Sequence, residues 1–278
     1  MPAITKTDSG WRLFLRTIIA RAYPRIIGQQ REKSWIFFET FLPFIATCGY
    51  VFVYRAMNAP EDYIGFVIVG GAMTAFWMNV MWSMSAQMYW EKENGNLALY
   101  IMAPNPMMAI LLGMAIGGMF ATTLRAIVII VLGTWLFQVN FAITSFIQLF
   151  AVFMLTMTAL YGLGMLFASL FLLFGRDAWQ VVNLFQEPVY FLSGFYFPVK
   201  SFGFAVALIA SVLPLTLGMD AMRQLSFASG PALGFISVEI EIVGLMILSI
   251  VFITVAKYAL GVIEKKAIEE GTLTDRRR

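Results

Sequence analysis

The feature that most constrains the fold of this sequence is a series of long apolar runs separated by short polar connections. A helix needs roughly 20 apolar residues to cross the ~30 Å hydrocarbon core of a bilayer. Runs of this kind cover residues 34–54, 64–84, 108–137, 141–174, a stretch that starts near 181, and 236–258. Because backbone groups inside a bilayer must be paired within the chain, each run is predicted to be a transmembrane helix.

A further apolar stretch, residues 202–213, is too short to cross a membrane and has Pro198 and Pro214 on its two sides. Such a stretch is typical of a re-entrant or interfacial segment. Region 198–230 is therefore predicted to be a short re-entrant or extracellular helical segment between spans five and six. The predicted fold is an all-α integral membrane protein with six transmembrane helices, and five or seven spans are the alternatives.

The composition agrees with this prediction, because only 13% of the residues are charged and 60% are hydrophobic, whereas a soluble domain has about 25% charged residues. The chain has no histidine and a single cysteine, Cys48. Most metal sites and most nucleophile–base pairs therefore lack their parts. The sequence predicts no catalytic residue, no metal site, no cofactor in this chain and no nucleic-acid partner.

The positive charges predict the topology, since Lys and Arg favour the cytoplasmic side of a membrane. Seven basic residues precede the first span, and six lie at or after Lys257. Segment 1–33 and the basic tail 259–278 are therefore predicted to be cytoplasmic, on either side of a transmembrane domain at 34–258 in the inner cell membrane. An even number of spans places loop 87–107 inside and region 198–230 outside.

The N-terminal segment has helical periodicity. At 100° per residue its apolar and basic residues fall on different sides, which predicts an amphipathic interfacial helix that contacts membrane lipids or a partner. The alternative is that the positive charge only fixes the topology, and the two are compatible. The apolar side holds Trp11, Phe14, Leu15, Ile18, Ile19 and Ala22, and the basic side holds Arg12, Arg16 and Arg21.

A short polar elbow separates the second and third spans. It consists of Glu91, Lys92, Glu93, Asn94 and Gly95, and the apolar stretch LALYIM follows it. This order predicts a short helix at the membrane surface whose charged end a soluble partner could hold. The alternative is an ordinary loop that reverses the chain.

Two motifs resemble a known family. The sequence EKENGNLALYIMAP at 91–104 resembles the cytoplasmic loop of the permease (transmembrane) subunits of type-2 ABC exporters, the ABC-2 family. SGFYFPVKSF at 193–202, followed by LPLTLGMDAMRQL at 213–225, resembles the family's late signature. Glu91-Lys92 stands where the family has a Glu-Arg pair.

This resemblance implies a function. Family members are dimers of six-span subunits, each docked on a cytoplasmic ATPase, and the elbow would be the coupling element. The chain has no G-x-x-x-x-G-K-[ST] motif, so ATP and Mg would be bound by the separate ATPase subunit, in two copies. The chain would be one half of a homodimer that exports an amphiphile: a lipid-linked glycan, a lipo-oligosaccharide or a hydrophobic drug. A passive channel or a membrane assembly subunit without an ATPase is the alternative.

Two charged residues lie inside predicted spans, where a charge costs about 2.5–3.5 kcal/mol on insertion scales. Glu39 is expected to reach the interface or to pair with a basic residue such as Lys33. Arg125 is expected to snorkel or to form a structural pair, or alternatively to line a cavity.

The fifth predicted span is the most polar. Asn183, Gln186 and Glu187 are spaced i, i+3, i+4 and share one helix face. With Arg125, and with Phe195 and Tyr196 from the break after this span, they are the candidates for a pathway lining or gate. The alternative for the polar face is hydrogen bonding between helices that holds the dimer together.

Overall fold

A computed structural model describes residues 10–31, 33–102 and 107–270. Residues 1–9 and 32 of the predicted N-terminal segment, 103–106 of the predicted coupling loop and 271–278 of the predicted tail lie outside this description. The described residues form twelve α-helices and contain no strand. The helices are α1 Trp11–Arg31, α2 Lys33–Ala56, α3 Glu61–Met78, α4 Gln87–Glu93, α5 Leu97–Met102, α6 Met107–Phe137, α7 Phe146–Phe174, α8 Ala178–Leu192, α9 Phe204–Ala210, α10 Pro214–Ser226, α11 Gly230–Leu233 and α12 Val238–Glu270.

Five helical segments of the described chain are long and apolar enough to cross a membrane. A sixth is added if α9 and α10, bent by 114° relative to each other, count as one span. The prediction of an all-helical protein with several membrane spans is therefore confirmed. The five segments are Ile36–Ala56, Glu61–Glu93, Met107–Phe137, Phe146–Leu192 and Val238–Ile263.

The second of these segments contains a π-helical turn. α3 passes into π-helix over Asn79–Ser85 before α4 begins. In this turn the Ser85 hydroxyl donates to the carbonyl of Val80 at 2.7 Å, and it also contacts the Gly164 carbonyl of α7 at 3.1 Å. The segment is the centre of the bundle, because 94% of the residues in its most apolar stretch are buried, against 11% in the corresponding stretch of α2. π-helical turns of this kind occur frequently at functional sites.

The fourth segment reverses direction at Gly175. The rings of Phe171 and Trp179 lie 5.0 Å apart, and those of Phe167 and Phe185 lie 5.8 Å apart. In one continuous helix, residues 167 and 185 would be separated by about 27 Å along the axis. α7 and α8 therefore form an antiparallel hairpin, and α8 corresponds to the predicted fifth span.

The break after α8 is held by a buried arginine of α10. The Arg223 guanidinium donates to the carbonyls of Gly194 at 2.6 Å, Phe195 at 2.8 Å and Phe66 at 2.9 Å. The Phe195 carbonyl also lies so close to Gly70 of α3 that an added Cβ would sit 1.5 Å from its oxygen. Only glycine fits there, so the break packs directly on the central segment.

The elbow and α10 lie at opposite ends of the bundle. α7 and α12 run parallel: the Ser249 hydroxyl donates to Leu155, and Gly162 packs against Ile253. Near the start of α7, Thr156 contacts Gly218 of α10. Near its end, Phe171 packs against Tyr89 of α4, with ring centroids 6.4 Å apart.

Candidate functional site

The site is built on α1, which packs closely along the first half of α6. A Cβ added at Gly113 would lie 2.6 Å from the Ile18 carbonyl and 2.7 Å from Arg21 Cβ. At Gly117 it would lie 2.9 Å from the Ala22 carbonyl. Two glycines four residues apart thus allow the helices to approach closely. This contact fixes where the basic residues of α1 point.

The apolar side predicted for α1 is only partly covered in the described structure. Trp11 and Ile19 are 69% and 66% exposed, and Leu15 is also exposed, whereas Ala22 is buried. Residues Trp11–Arg31 of this segment form helix α1. Contact between its exposed apolar residues and lipid stays a prediction.

The elbow has a defined backbone geometry. α4 ends with the Asn96 N–H bonded to the Glu91 carbonyl at 2.9 Å, and the Gly95 N–H bonded to the Lys92 carbonyl at 3.0 Å. Gly95 has φ +77°, the left-handed conformation that this type of helix end requires. The chain therefore turns sharply into α5 at a fixed angle.

The Glu91 carboxylate is buried and accepts hydrogen bonds from several neighbouring side chains. Arg21 Nη2 donates to it at 3.0 Å, Gln87 Nε2 at 3.1 Å and Asn96 Nδ2 at 2.9 Å. Arg21 also donates to the Tyr100 hydroxyl and lies over the Tyr100 ring, 4.6 Å from its centroid. Burial, with the nearby Glu91 charge, raises the pKa of Tyr100 to about 12. One carboxylate thus joins α1, α4 and the start of α5.

A second arginine of α1 extends the same set of contacts. Arg25 Nη1 donates to Gln87 Oε1 at 3.2 Å, and its Nη2 donates to the Ser83 hydroxyl in the π-helical turn. Burial lowers the pKa of the Arg25 guanidinium from its ordinary value. We call Arg21, Arg25, Ser83, Gln87 and Glu91 the arginine ladder.

The π-helical turn connects the ladder to α7. The Tyr161 hydroxyl donates to Asn79 Oδ1 at 3.0 Å. Asn79 and Ser83 lie about one turn apart in the same π-helical segment, so one holds α7 and the other holds α1. The π-helical turn is therefore joined to both α1 and α7 by side-chain hydrogen bonds.

The predicted coupling residues divide into two groups. Glu91 and Lys92 are buried, and Glu91 faces α1. Glu93, Asn94 and Gly95 are exposed and form the tip of the elbow. The tip is the part that a soluble partner could reach directly. The coupling role of all five stays a prediction.

The predicted pathway residues lie in different environments. Arg125 is buried and forms an ion pair with Glu39 of α2, so the partner of Glu39 is Arg125 and not the neighbouring Lys33. Phe195 lies in the break after α8 and is fully buried. Tyr196 stacks on Tyr50 of α2, with ring centroids 3.7 Å apart.

The polar residues of α8 lie at the surface of the described chain. Asn183 and Glu187 are exposed, and Gln186 is partly buried. Their shared face therefore points away from the helices of this subunit. Whether it lines a pathway stays a prediction.

Sequence reasoning missed the ladder. Arg21 and Arg25 on α1 have the same i, i+4 spacing as Gln87 and Glu91 on the second segment. Matched spacing on two helices permits two parallel contacts, and this is the signal that could have pointed to it.

Comparisons with known proteins identify the family of this chain. The family model described as ABC-2 type transporter matches residues 15–227, which include most of α1, the ladder, the elbow and α10. The chain belongs to the ABC-2 type transporter family. As a member with several candidate membrane spans, it is a multi-pass membrane protein. Among the described helices of this ABC-2 chain, α11 and α12 lie wholly beyond the matched residues.

Two curated relatives give a more specific similarity. The chain is similar to proteins named "Probable multidrug ABC transporter permease YbhR" from Escherichia coli strain K12 and from Escherichia coli O157:H7. In each case the identity is 26% over 172 residues, which are 60% of this chain and 45% of the relative. The chain thus aligns with less than half the length of these relatives.

Proposed function

We propose that this chain is the permease subunit of an ATP-driven exporter, coupled through its elbow to a separate cytoplasmic ATPase that binds ATP and Mg. The observation that carries the proposal is the arginine ladder. It joins the elbow, α1 and the π-helical turn by hydrogen bonds between buried or half-buried side chains. A loop that only reversed the chain would have no need of such a connection.

The proposed coupling is mechanical. Closure of two ATPase subunits would press on the exposed tip, Glu93 to Gly95, and on α1. The Arg21–Glu91 pair makes these two elements move together. The π-helical turn passes the displacement to α7 through Tyr161 and Gly164. A ligand shifts a protein between two conformations only if it interacts differently with them. Here the difference would lie in how the ATP-bound ATPase contacts the elbow in each conformation of the permease.

The exposed polar face of α8 supports a second copy of the permease. A charged side chain in contact with lipid at mid-bilayer costs about 2.5–3.5 kcal/mol, so Glu187 is expected to face protein or water. In the single chain Glu187 and Asn183 face neither α7 nor the core. A homodimer that covers this face, or encloses a wet pathway beside it, would remove the cost.

The proposed topology has six spans and both termini in the cytoplasm of a cell with an inner membrane. The α7–α8 hairpin supplies two crossings, and the bent pair α9–α10 re-enters from the outer side. This arrangement agrees with the sharp reversal at Gly175 and with the position of α10 opposite the elbow. It also leaves the basic N-terminal segment and the elbow on one side.

The proposed substrate is an amphiphile moved outward, and two observations favour a hydrophobic drug over a lipid-linked glycan or lipo-oligosaccharide. An apolar cavity of about 400 Å³ lies between the outer halves of α3, α6, α7 and α10, with Ile130, Phe141, Phe153 and Met222 in its lining. The relatives carry the word multidrug in their names. Such a cavity suits a ligand bound mainly by apolar contact.

The test begins with copurification of the tagged chain from membranes of its own cells. We expect an ATPase that photolabels with azido-ATP to accompany it. Glu93→Lys should reduce export and ATPase stimulation while the protein still inserts and dimerises. The matched control is Glu61→Lys, which reverses an exposed glutamate at the opposite end of the bundle.

Two results would contradict the proposal. Normal export by Glu93→Lys would remove the coupling role of the tip. If no nucleotide-binding protein accompanies the chain, the passive channel or assembly subunit becomes the better assignment.

A further inference from the structure

Two carboxyl groups meet at the end of the bundle opposite the elbow. Asp220 of α10 is 3% exposed and Glu241 of α12 is fully buried. Both lie within hydrogen-bonding distance of one amide nitrogen, Gln224 Nε2, which is 3.1 Å from Asp220 Oδ2 and 3.2 Å from Glu241 Oε2. Two ionised carboxylates held this close together would repel each other in a buried site, so the arrangement needs an explanation.

The Gln224 amide nitrogen has more acceptors within reach than it has hydrogens to donate. Gln224 Nε2 has three acceptors within reach: the Ile236 carbonyl at 2.7 Å, Asp220 Oδ2 at 3.1 Å and Glu241 Oε2 at 3.2 Å. An amide nitrogen carries only two hydrogens. The Phe235 N–H also donates to Asp220 Oδ2, at 2.7 Å. Within the described chain, Glu241 Oε1 is buried without a hydrogen-bond partner.

Within the described chain, no basic side chain forms an ion pair with either carboxyl group. α12 packs against α7, α10 and α6, and α10 also packs against α3, whose Asp62 accepts from the Ser229 N–H, and against α11, which has no titratable side chain. On α10, the charge of Arg223 interacts with that of Asp220, but the Arg223 guanidinium donates to the carbonyls of the break and of α3. α7 contains no Asp, Glu, Lys or Arg; its Tyr161 bonds to Asn79, and Arg125 of α6 pairs with Glu39. On α12 itself the neighbouring acid, Glu239, is exposed.

We infer that Asp220 and Glu241 share one proton, with the protonated Glu241 carboxyl donating to Asp220, and that this proton site fastens α10 to α12. Two like charges in contact in a buried site cannot both ionise without a large cost. The proton supplies the hydrogen that Gln224 lacks. The shared proton depends neither on the family assignment nor on the ladder, so a result that refutes it leaves the proposed function unaffected.

The proton makes the contact sensitive to pH. Above the ordinary carboxyl pKa the native state holds one proton that the unfolded chain has released. Stability must therefore fall as pH rises, with the unfolding equilibrium constant increasing by up to about tenfold per pH unit while the site keeps its proton. Loss of the proton leaves two adjacent negative charges, which repel and loosen α10 from α12. If the proposed topology holds, the site responds to the medium outside the cell.

The experiment uses the full chain in lipid nanodiscs and two single variants. Infrared spectra at neutral pH should show a protonated-carboxyl C=O band that shifts in D₂O. Glu241→Gln should remove this band, because the amide replaces the acid while keeping an N–H donor toward Asp220. Glu239→Gln, the exposed acid two residues earlier, should leave it unchanged. The thermal unfolding midpoint of the wild type should decrease as the pH is raised from about 6 to about 9. The midpoint of Glu241→Gln should vary much less over this range.

Two outcomes would overturn the inference. One is a spectrum in which Glu241→Gln removes no protonated-carboxyl band. The other is a Glu241→Gln midpoint that falls with pH as steeply as that of the wild type. If Glu241→Gln fails to insert, the wild-type spectrum decides: without a D₂O-sensitive protonated-carboxyl band at neutral pH, the two carboxyl groups hold no proton.

Discussion

The contact between Arg21 and Glu91 can be tested as a pair. We consider Arg21→Met, which keeps most of the aliphatic stem, Glu91→Gln, which keeps the shape, and the double variant. Both single changes remove the ion pair between α1 and α4. The double variant measures whether the two losses are one interaction.

The structure sets the size of the effect. The Glu91 side chain is 10% exposed and that of Arg21 is 29% exposed, and they are joined by a 3.0 Å hydrogen bond. An exposed pair is worth about 0–1 kcal/mol, whereas a hydrogen bond to a charged group contributes about 1.5–3 kcal/mol. We expect each single variant to lose about 2 kcal/mol of the free energy of unfolding. The loss for Glu91→Gln stays at this level because its amide oxygen still accepts from one neighbouring donor. The coupling energy should be about 1.5 kcal/mol.

The assay is reversible unfolding of the chain in detergent or nanodiscs without an ATPase, so that only contacts within the chain contribute. Glu93→Gln is the matched control, because Glu93 lies two residues away and is exposed. It should change stability by less than about 0.5 kcal/mol. If the Arg21 and Glu91 variants are additive within about 0.3–0.5 kcal/mol, the two residues do not act as a pair and the ladder loses its central contact.

Three further changes test other contacts of the chain. Gly95→Ala should cost about 1–2 kcal/mol, because alanine is disfavoured at φ +77°; an unchanged unfolding midpoint would argue against the observed elbow turn. Glu39→Gln leaves the buried charge of Arg125 unpaired and should cost about 3–5 kcal/mol, whereas changing both residues to Gln should recover a large part; no recovery in the unfolding assay would show that the two do not pair. Gly113→Leu should separate α1 from α6 and expose α1 to trypsin, whereas Gly28→Leu, where an added Cβ meets no atom within 4 Å, should not; equal digestion would contradict the close packing.

Much of the fold could be predicted because the length of each apolar run indicates whether it can cross the bilayer. The run at 108–137 corresponds to α6 at Met107–Phe137, and the fifth run near 181 corresponds to α8. The π-helical turn at Asn79–Ser85 was not predicted. It depends on contacts that Ser85 and Asn79 make with α7, and these are about 80 residues away in sequence.

The site was less predictable because its residues are paired across the chain. The sequence shows that Glu91 is a charged residue between two apolar runs. It does not show that α1 returns to cover it, since that depends on the close approach at Gly113 and Gly117. The same reason explains Glu39, whose partner is set by depth in the bundle. Arg125 reaches that depth from another helix, whereas Lys33 is only close in sequence.

α7 connects the two ends of the molecule that contain buried polar contacts. At one end Gly164 and Tyr161 contact the π-helical turn that bears the ladder. At the other, Thr156 packs against Gly218 of α10, the helix that holds the Asp220 carboxyl. Thr156 and Gly164 are separated by about 12 Å along one helix axis, so both contacts belong to the same continuous helix. If the elbow couples to an ATPase as proposed, we expect a displacement of α7 to change the packing of α10, because the π-helical turn and α10 contact the same helix near its two ends.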